Sequence, residues 1–207
     1  MSVKRKILFA TCNEGKMREI RSIMADLGVP VLSMKEAGLL AQIDENGATF
    51  EENALIKARG AAALAEPDSI VLADDSGLEI DALNKEPGVY SARYMGDDTP
   101  YSVKNADLLR RMDGVPKEKR TARFVCAISA VFPDGREFTV RETVEGMIGY
   151  EQKGDGGFGY DPIFYVPEFG KTMAELSAGE KNRISHRGKA LELMKEVIKR
   201  NESFDCQ

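Results

Sequence analysis

Apolar and polar positions follow two different periods along this chain, and the order in which the periods alternate predicts an α/β protein. Ile7, Leu8, Phe9 and Ala10 form an unbroken apolar run, so Lys6 to Thr11 predicts a buried strand. From Gly15 to Leu27 the period becomes helical. Ile20, Ile23, Met24 and Leu27 share one face, and Gly28 is placed to stop the helix. Val29 to Leu32 predicts another strand. Thr49-Phe50-Glu51-Glu52 has the spacing of a capping box, and the alanine-rich stretch after it predicts a helix to about Ala65. Ile70 to Ala73 predicts a short strand ending in a turn at Asp74-Asp75-Ser76-Gly77. Thr99 as N-cap, with Pro100 in the first helical position, opens a helix to about Met112. Arg123 to Phe132 and Glu137 to Tyr150 flank Pro133-Asp134-Gly135-Arg136 and predict a long β-hairpin. A last helix is expected from near Ser185, with Ala190, Leu191, Met194, Val197 and Ile198 at helical spacing, followed by a frayed tail from about residue 202. Helical crossovers combined with a hairpin require a mixed sheet.

Composition narrows this picture. A chain of 207 residues, 43% apolar and 30% charged, is long enough to bury one sizeable core, so a single domain, at most two-lobed, is expected. No apolar run is long enough for a signal-peptide core or a bilayer span, which predicts a cytoplasmic protein. Cys12, Cys126 and Cys206 form no C-x-x-C pair, so reduced thiols are expected rather than disulfides or a zinc site. A formal net charge of -5 argues against sequence-independent binding to nucleic acid, which needs many cationic contacts to phosphates. A small anion held by a few placed cations remains compatible with it.

Five segments carry residues suited to such chemistry. Thr11-Cys12-Asn13-Glu14-Gly15-Lys16 lies where a strand gives way to a helix, so free backbone N–H groups, the helix dipole and Lys16 can face a phosphate. It is not a Walker A loop, since Met17 stands where a Ser or Thr is needed, and an ordinary capped loop would look the same. Asp74 and Asp75 would sit at the end of a strand, with only one of the two pointing into a site; a plain turn is the other reading. Asp44 and Glu45 offer hard oxygens to a divalent cation ahead of a helix carrying Asn53 and Lys57, although solvated acids and a solvent-facing Asn53/Lys57 pair fit equally. Gly154 to Pro162 contains Gly154, Gly156, Gly157 and Gly159, which let a backbone approach a flat ligand while Phe158 stacks on a base and Asp161 accepts from its edge; a flexible hairpin loop is the alternative. Ser185-His186-Arg187 puts cations in a first helical turn, against the macrodipole, and broken local rules of this kind cluster at functional sites.

In order, T-C-N-E-G-K (Thr11 to Lys16), T-F-E-E-N-A-L-I-K-A (Thr49 to Ala58), A-D-D-S-G-L (Ala73 to Leu78), P-G-V-Y-S-A-R-Y (Pro87 to Tyr94), G-G-F-G-Y-D-P (Gly156 to Pro162), E-K-N (Glu180 to Asn182) and S-H-R (Ser185 to Arg187) closely resemble the inosine triphosphate pyrophosphatase family. The likeness runs from about Ile7 to the last helix. It implies a homodimer of elongated, two-lobed α/β subunits of the ITPase-like type, helices packed on a mixed sheet, with the nucleotide in the cleft between lobes. It implies that Thr11, Asn13, Lys16 and Lys57 bind the triphosphate, that Asp75 is the general base with Ser76 near the substrate, and that Phe158, Gly159, Tyr160, Asp161, Lys181, His186 and Arg187 recognise the base. The chain departs from the family where E-E-T-G is usual and Asp44-Glu45-Asn46-Gly47 stands instead. Asp44 is the position matching the family's metal-binding Glu, leaving Glu45 or a bridging water as the alternative.

The resemblance therefore implies a Mg²⁺-dependent hydrolase, with Asp75 and Asp44 at the metal, that cuts ITP, dITP and XTP to the monophosphate and pyrophosphate. Rival readings are a Maf-type pyrophosphatase acting on modified pyrimidines or methylated purines, and a nucleotide-binding protein without catalysis.

Overall fold

The computed structural model describes residues 5–39 and 43–201; the expected tail, with Cys206, lies outside the described residues. Seven strands form one mixed sheet: β1 (Lys6–Phe9), β2 (Val31–Ser33), β3 (Ser69–Ile80), β4 (Thr121–Val131), β5 (Glu137–Ile148), β6 (Phe164–Val166) and β7 (Lys171–Thr172), in the order β2-β1-β3-β4-β5-β6-β7. β1 is parallel to β2 and β3, while β5-β6 and β6-β7 are antiparallel. The mixed α/β sheet expected from the sequence is what the chain forms. Among the described residues five helices accompany it: α1 (Glu14–Met24), α2 (Phe50–Ala62), α3 (Tyr101–Arg111), α4 (Ala178–Ile184) and α5 (His186–Asn201).

The chain divides into two compact units, one of Met1–Asp75, Cys126–Glu142 and Arg187–Gln207, the other of Ser76–Val125 and Thr143–His186. In the first, strand alternation sorts the core onto two faces. Ile7, Phe9, Ile70 and Leu72 pack against Met17, Ile20 and Met24 of α1 and Ala190, Leu191, Met194 and Ile198 of α5. Leu8, Ala10, Val71 and Ala73 face the other way, against Ala58 and Ala61 of α2. Each large side chain fully buried there stabilises the fold by roughly 1.5–3 kcal/mol relative to exposure. In the second unit Leu78, Ile80, Leu108, Met112, Phe124, Ile148, Ile163 and Phe164 form a separate core. Among the described residues no helix is long and apolar enough to cross a membrane.

Local signals explain most element boundaries. Asn13 caps α1 through its side chain, and after a single 3-10 turn Gly28 closes that segment in the left-handed conformation, as its position in the sequence predicts. Thr49 caps α2 by accepting from Glu52 N, but the Glu52 carboxylate reaches one residue further back, to Ala48 N at 2.6 Å. The hairpin joining β4 to β5 turns where expected, with Phe132 N donating to Arg136 O. Two helix starts differ. Pro100 occupies the N-cap of α3 rather than its first turn, and the Thr99 hydroxyl donates to Met95 O instead of capping. Ser185 does not lie alone at the start of a last helix, because α4 precedes it and ends there. The capping box of α4, Ser177 with Glu180, was a readable sequence signal.

Candidate active site

Asp74 and Asp75 are not turn residues. β3 runs straight through them to Ile80, and both are buried within it. A buried strand tolerates two carboxylates only when each finds partners, and alternation gives them different ones. Asp74 falls on the α1/α5 face: Lys16 Nζ donates to its two oxygens at 3.0 and 2.9 Å, and Arg187 Nε lies 3.4 Å from Oδ2. Arg187, itself buried, is also held by Glu19 Oε2 at 2.6 Å. The cation that opposes the dipole at the start of α5 is thus compensated by two acids. Burial alone would raise the Asp74 pKa, but Lys16 and Arg187 outweigh it and hold the carboxyl well below the ordinary range.

Asp75 falls on the α2 face. Asn53 Nδ2 donates to its Oδ2 at 3.1 Å, and Lys57 Nζ, one helical turn on, is 3.8 Å from Oδ1. The solvent-facing reading of Asn53 and Lys57 therefore fails: Asn53 is fully buried. Its Oδ1 accepts from Gly47 N at 2.8 Å, which ties the acidic loop to the strand. Only glycine allows that approach, since a Cβ at residue 47 would lie 2.7 Å from Glu52 Cβ and 2.8 Å from Asn53 Oδ1. Asparagine is a poor interior helix residue, which sets Asn53 apart within its motif. Desolvation raises the Asp75 pKa, against the opposing pull of Lys57 and Asn53. The carboxyl is therefore a better proton acceptor than its neighbour Asp74.

The same Lys57 bonds Glu45 Oε2 at 3.2 Å. Glu45, not the exposed Asp44, is the loop carboxylate this geometry brings toward Asp75. Two hard carboxylates near one another suit a hard divalent cation, whose shell substrate phosphate oxygens would complete. Among the described residues no group of three or more His, Cys, Asp or Glu side chains is assembled to hold an ion unaided.

At the head of α1, Thr11 Oγ1 accepts from Asn13 N and Asn13 Oδ1 from Lys16 N, at 3.1 Å each. The loop is thereby fixed as a helix N-terminus with exposed residues at Cys12, Asn13 and Glu14. Ser76 follows Asp75 in β3, half-buried, as the first residue of the second unit.

In that second unit the glycine-rich segment is fixed rather than flexible. Asp161 Oδ2 accepts from Phe158 N and from Lys181 Nζ, both at 2.8 Å, and a Cβ on Gly157 would collide with the same oxygen. The Asp161 carboxylate thus shapes the loop from within, holding the Phe158 N–H and the Lys181 ammonium at one oxygen. Lys181 Nζ lies 4.6 Å from the centroid of the half-exposed Phe158 ring. Tyr160 is a core residue whose hydroxyl donates to Ser91 O at 2.7 Å, so its ring packs the loop down. The His186 ring stacks on Phe124 with centroids 4.9 Å apart.

A paired-acid strand, a cationic helix start and a clamped glycine loop thus coexist in one chain. The Ham1 family model matches residues 7–197. The chain belongs to the Ham1 family. It is 48% identical over 193 residues to a protein of Exiguobacterium sibiricum named dITP/XTP pyrophosphatase, covering 93% of this chain and 96% of that one. A protein of the same name from Geobacillus kaustophilus is 50% identical over 188 residues, covering 90% and 91%. Among solved structures, the Staphylococcus aureus Ham1 protein matches with a TM-score of 0.84 and 41% identity, over 95% of this chain and 100% of that one. The mixed α/β sheet and the family implied by the seven motifs are those of the molecule.

Proposed function

We propose that this chain hydrolyses ITP, dITP and XTP to the nucleoside monophosphate and pyrophosphate, removing non-standard purines from the nucleotide pool. The observation that carries the reading is Asp75: a buried carboxylate with a raised pKa, oriented by Asn53 and Lys57 and adjacent in sequence to an acid that grips Lys16. Near-full-length likeness to proteins named dITP/XTP pyrophosphatase supports it.

Asp75 takes the proton of a water attacking the α-phosphorus in line, so that pyrophosphate leaves. Asp75 and Glu45 would hold Mg²⁺, with Asp44 as the neighbouring carboxylate of the same loop. When bound, the ion neutralises phosphate charge. Lys16, Lys57, Thr11 and Asn13 bind the triphosphate, aided by the backbone donors at the start of α1. Phe158 offers a stacking face, while Lys181, His186 and Arg187 supply donors that suit the O6 acceptor of hypoxanthine and xanthine but not the amino group of adenine. Glu19 and Asp74 keep the Arg187 guanidinium in one orientation. The protein works as a cytoplasmic homodimer.

The test is product analysis with dITP and Mg²⁺. Pyrophosphate and dIMP are expected; diphosphate with orthophosphate, or no turnover, would overturn the reading.

A further inference from the structure

Asn105 lies mid-way along α3, and nothing in the seven motifs points to it. Its side chain is buried at 1% exposure, and Nδ2 donates to Gly159 O at 3.1 Å. Its Oδ1 is buried with no hydrogen-bond partner among the described residues. A buried acceptor left without a donor is destabilising, so this side chain is not explained by its contribution to stability. An apolar residue of similar size would fill the space without that cost. What asparagine adds is one donor, and the donor meets the loop.

The bond matters because of where it lands. Gly159 follows Phe158 directly, and Asp161 already holds the Phe158 N–H at 2.8 Å. The dipeptide that carries the half-exposed ring is thus clamped at both ends, at its first N–H by Asp161 and at its last carbonyl by Asn105. Tyr101, one turn earlier on α3, backs the same segment. Its ring meets Tyr160 edge-on with centroids 5.1 Å apart, and a Cβ on Gly159 would sit 3.7 Å from it. With Gly159 at a φ of +69°, an unheld carbonyl could rotate with little steric resistance.

We propose that Asn105 is a positioning residue for base recognition: its amide fixes the Gly159 carbonyl and thereby the direction in which Phe158 presents its stacking face. The inference rests on the proposed function, in that Phe158 is taken as the platform for the purine. Because the ring stacks equally on any purine, Asn105 acts on affinity for all substrates rather than on the choice among them.

The test compares wild type with Asn105→Asp and Asn105→Leu. Both keep roughly the side-chain volume and lose the donor; the aspartate also sets an acceptor against a carbonyl. KM for ITP and XTP is expected to rise about five- to tenfold in both variants, with kcat within about twofold, as loss of one neutral hydrogen bond dictates. Amide hydrogen exchange in peptides covering residues 154–161 is expected to quicken, with the β1 and β3 peptides unchanged. A merely space-filling role predicts wild-type KM for Asn105→Asp, and that result would overturn the inference. So would a fall in kcat at constant KM, or failure of both variants to fold. Should only Asn105→Leu fail to fold, Asn105→Asp decides. Absence of turnover in the wild type would instead remove the proposed function, while the exchange measurement would still report whether Asn105 holds the loop.

Discussion

The acidic stretch of β3 and the glycine loop before β6 both hold residues assigned to the same nucleotide, yet they are built on opposite principles. Around Asp74 and Asp75 the means is charge: two buried acids, three cations and an asparagine, each ionic group compensated by another. In the glycine loop the means is shape, with Gly157 making room for Asp161, and Asp161 and Asn105 holding the peptide ends around Phe158. Removing a member of the first set leaves an uncompensated charge. Removing a member of the second loosens a surface. The first set should therefore fail abruptly on mutation and the second gradually.

The largest expected effect tests the charged set at its reactive member. Asp75→Asn should lower kcat by roughly 10²- to 10⁴-fold while nucleotide binding and the unfolding midpoint stay near wild type, because an amide keeps the shape but cannot accept the proton. Near-normal turnover would move the base elsewhere, with Asp74 the next candidate. Next comes Asp74→Ala, which strands Lys16 and leaves Arg187 with Glu19 as its acid partner. Urea unfolding should show a loss of about 3–5 kcal/mol, the cost of breaking a buried ion pair from one side, together with weaker binding of every triphosphate. A loss below about 1 kcal/mol would mean the cluster is solvated like a surface pair.

Base choice is tested at Arg187 of the charged set and at Phe158 of the loop. Arg187→Ala should lower kcat/KM for ITP and XTP by roughly ten- to a hundredfold more than for ATP, since a desolvated donor helps only a substrate with an acceptor at position 6. Equal losses for all three would make Arg187 a partner of Asp74 and Glu19 and nothing more. Phe158→Ala should weaken all purine substrates alike, by about 1 kcal/mol in apparent affinity. The smallest effect concerns the loop that departs from the family pattern. Glu45→Ala should raise the Mg²⁺ concentration for half-maximal rate several-fold, and Asp44→Ala should leave it within about twofold. A shift in Asp44→Ala alone would reverse the assignment drawn from the Lys57–Glu45 contact.

The sequence by itself determined the alternating elements, most helix caps and the segments in which chemistry is concentrated, because those depend on local periods and on residues within a few positions of each other. Gly28 stops its segment and Thr49 opens α2 for reasons confined to one or two turns. Only the tertiary structure decided the roles within each segment. The expected turn at Asp74 became the middle of a long strand, because α1, α5 and α2 bring partners from residues far along the chain to carboxylates that would otherwise have to stay at the surface. The support that Asp161 and Tyr160 give the loop was hidden for the same reason: Lys181 and Ser91 reach them only in three dimensions. A residue's type limits the bonds it can make, whereas the partners that long-range packing places within 3 Å decide which of those bonds it does make.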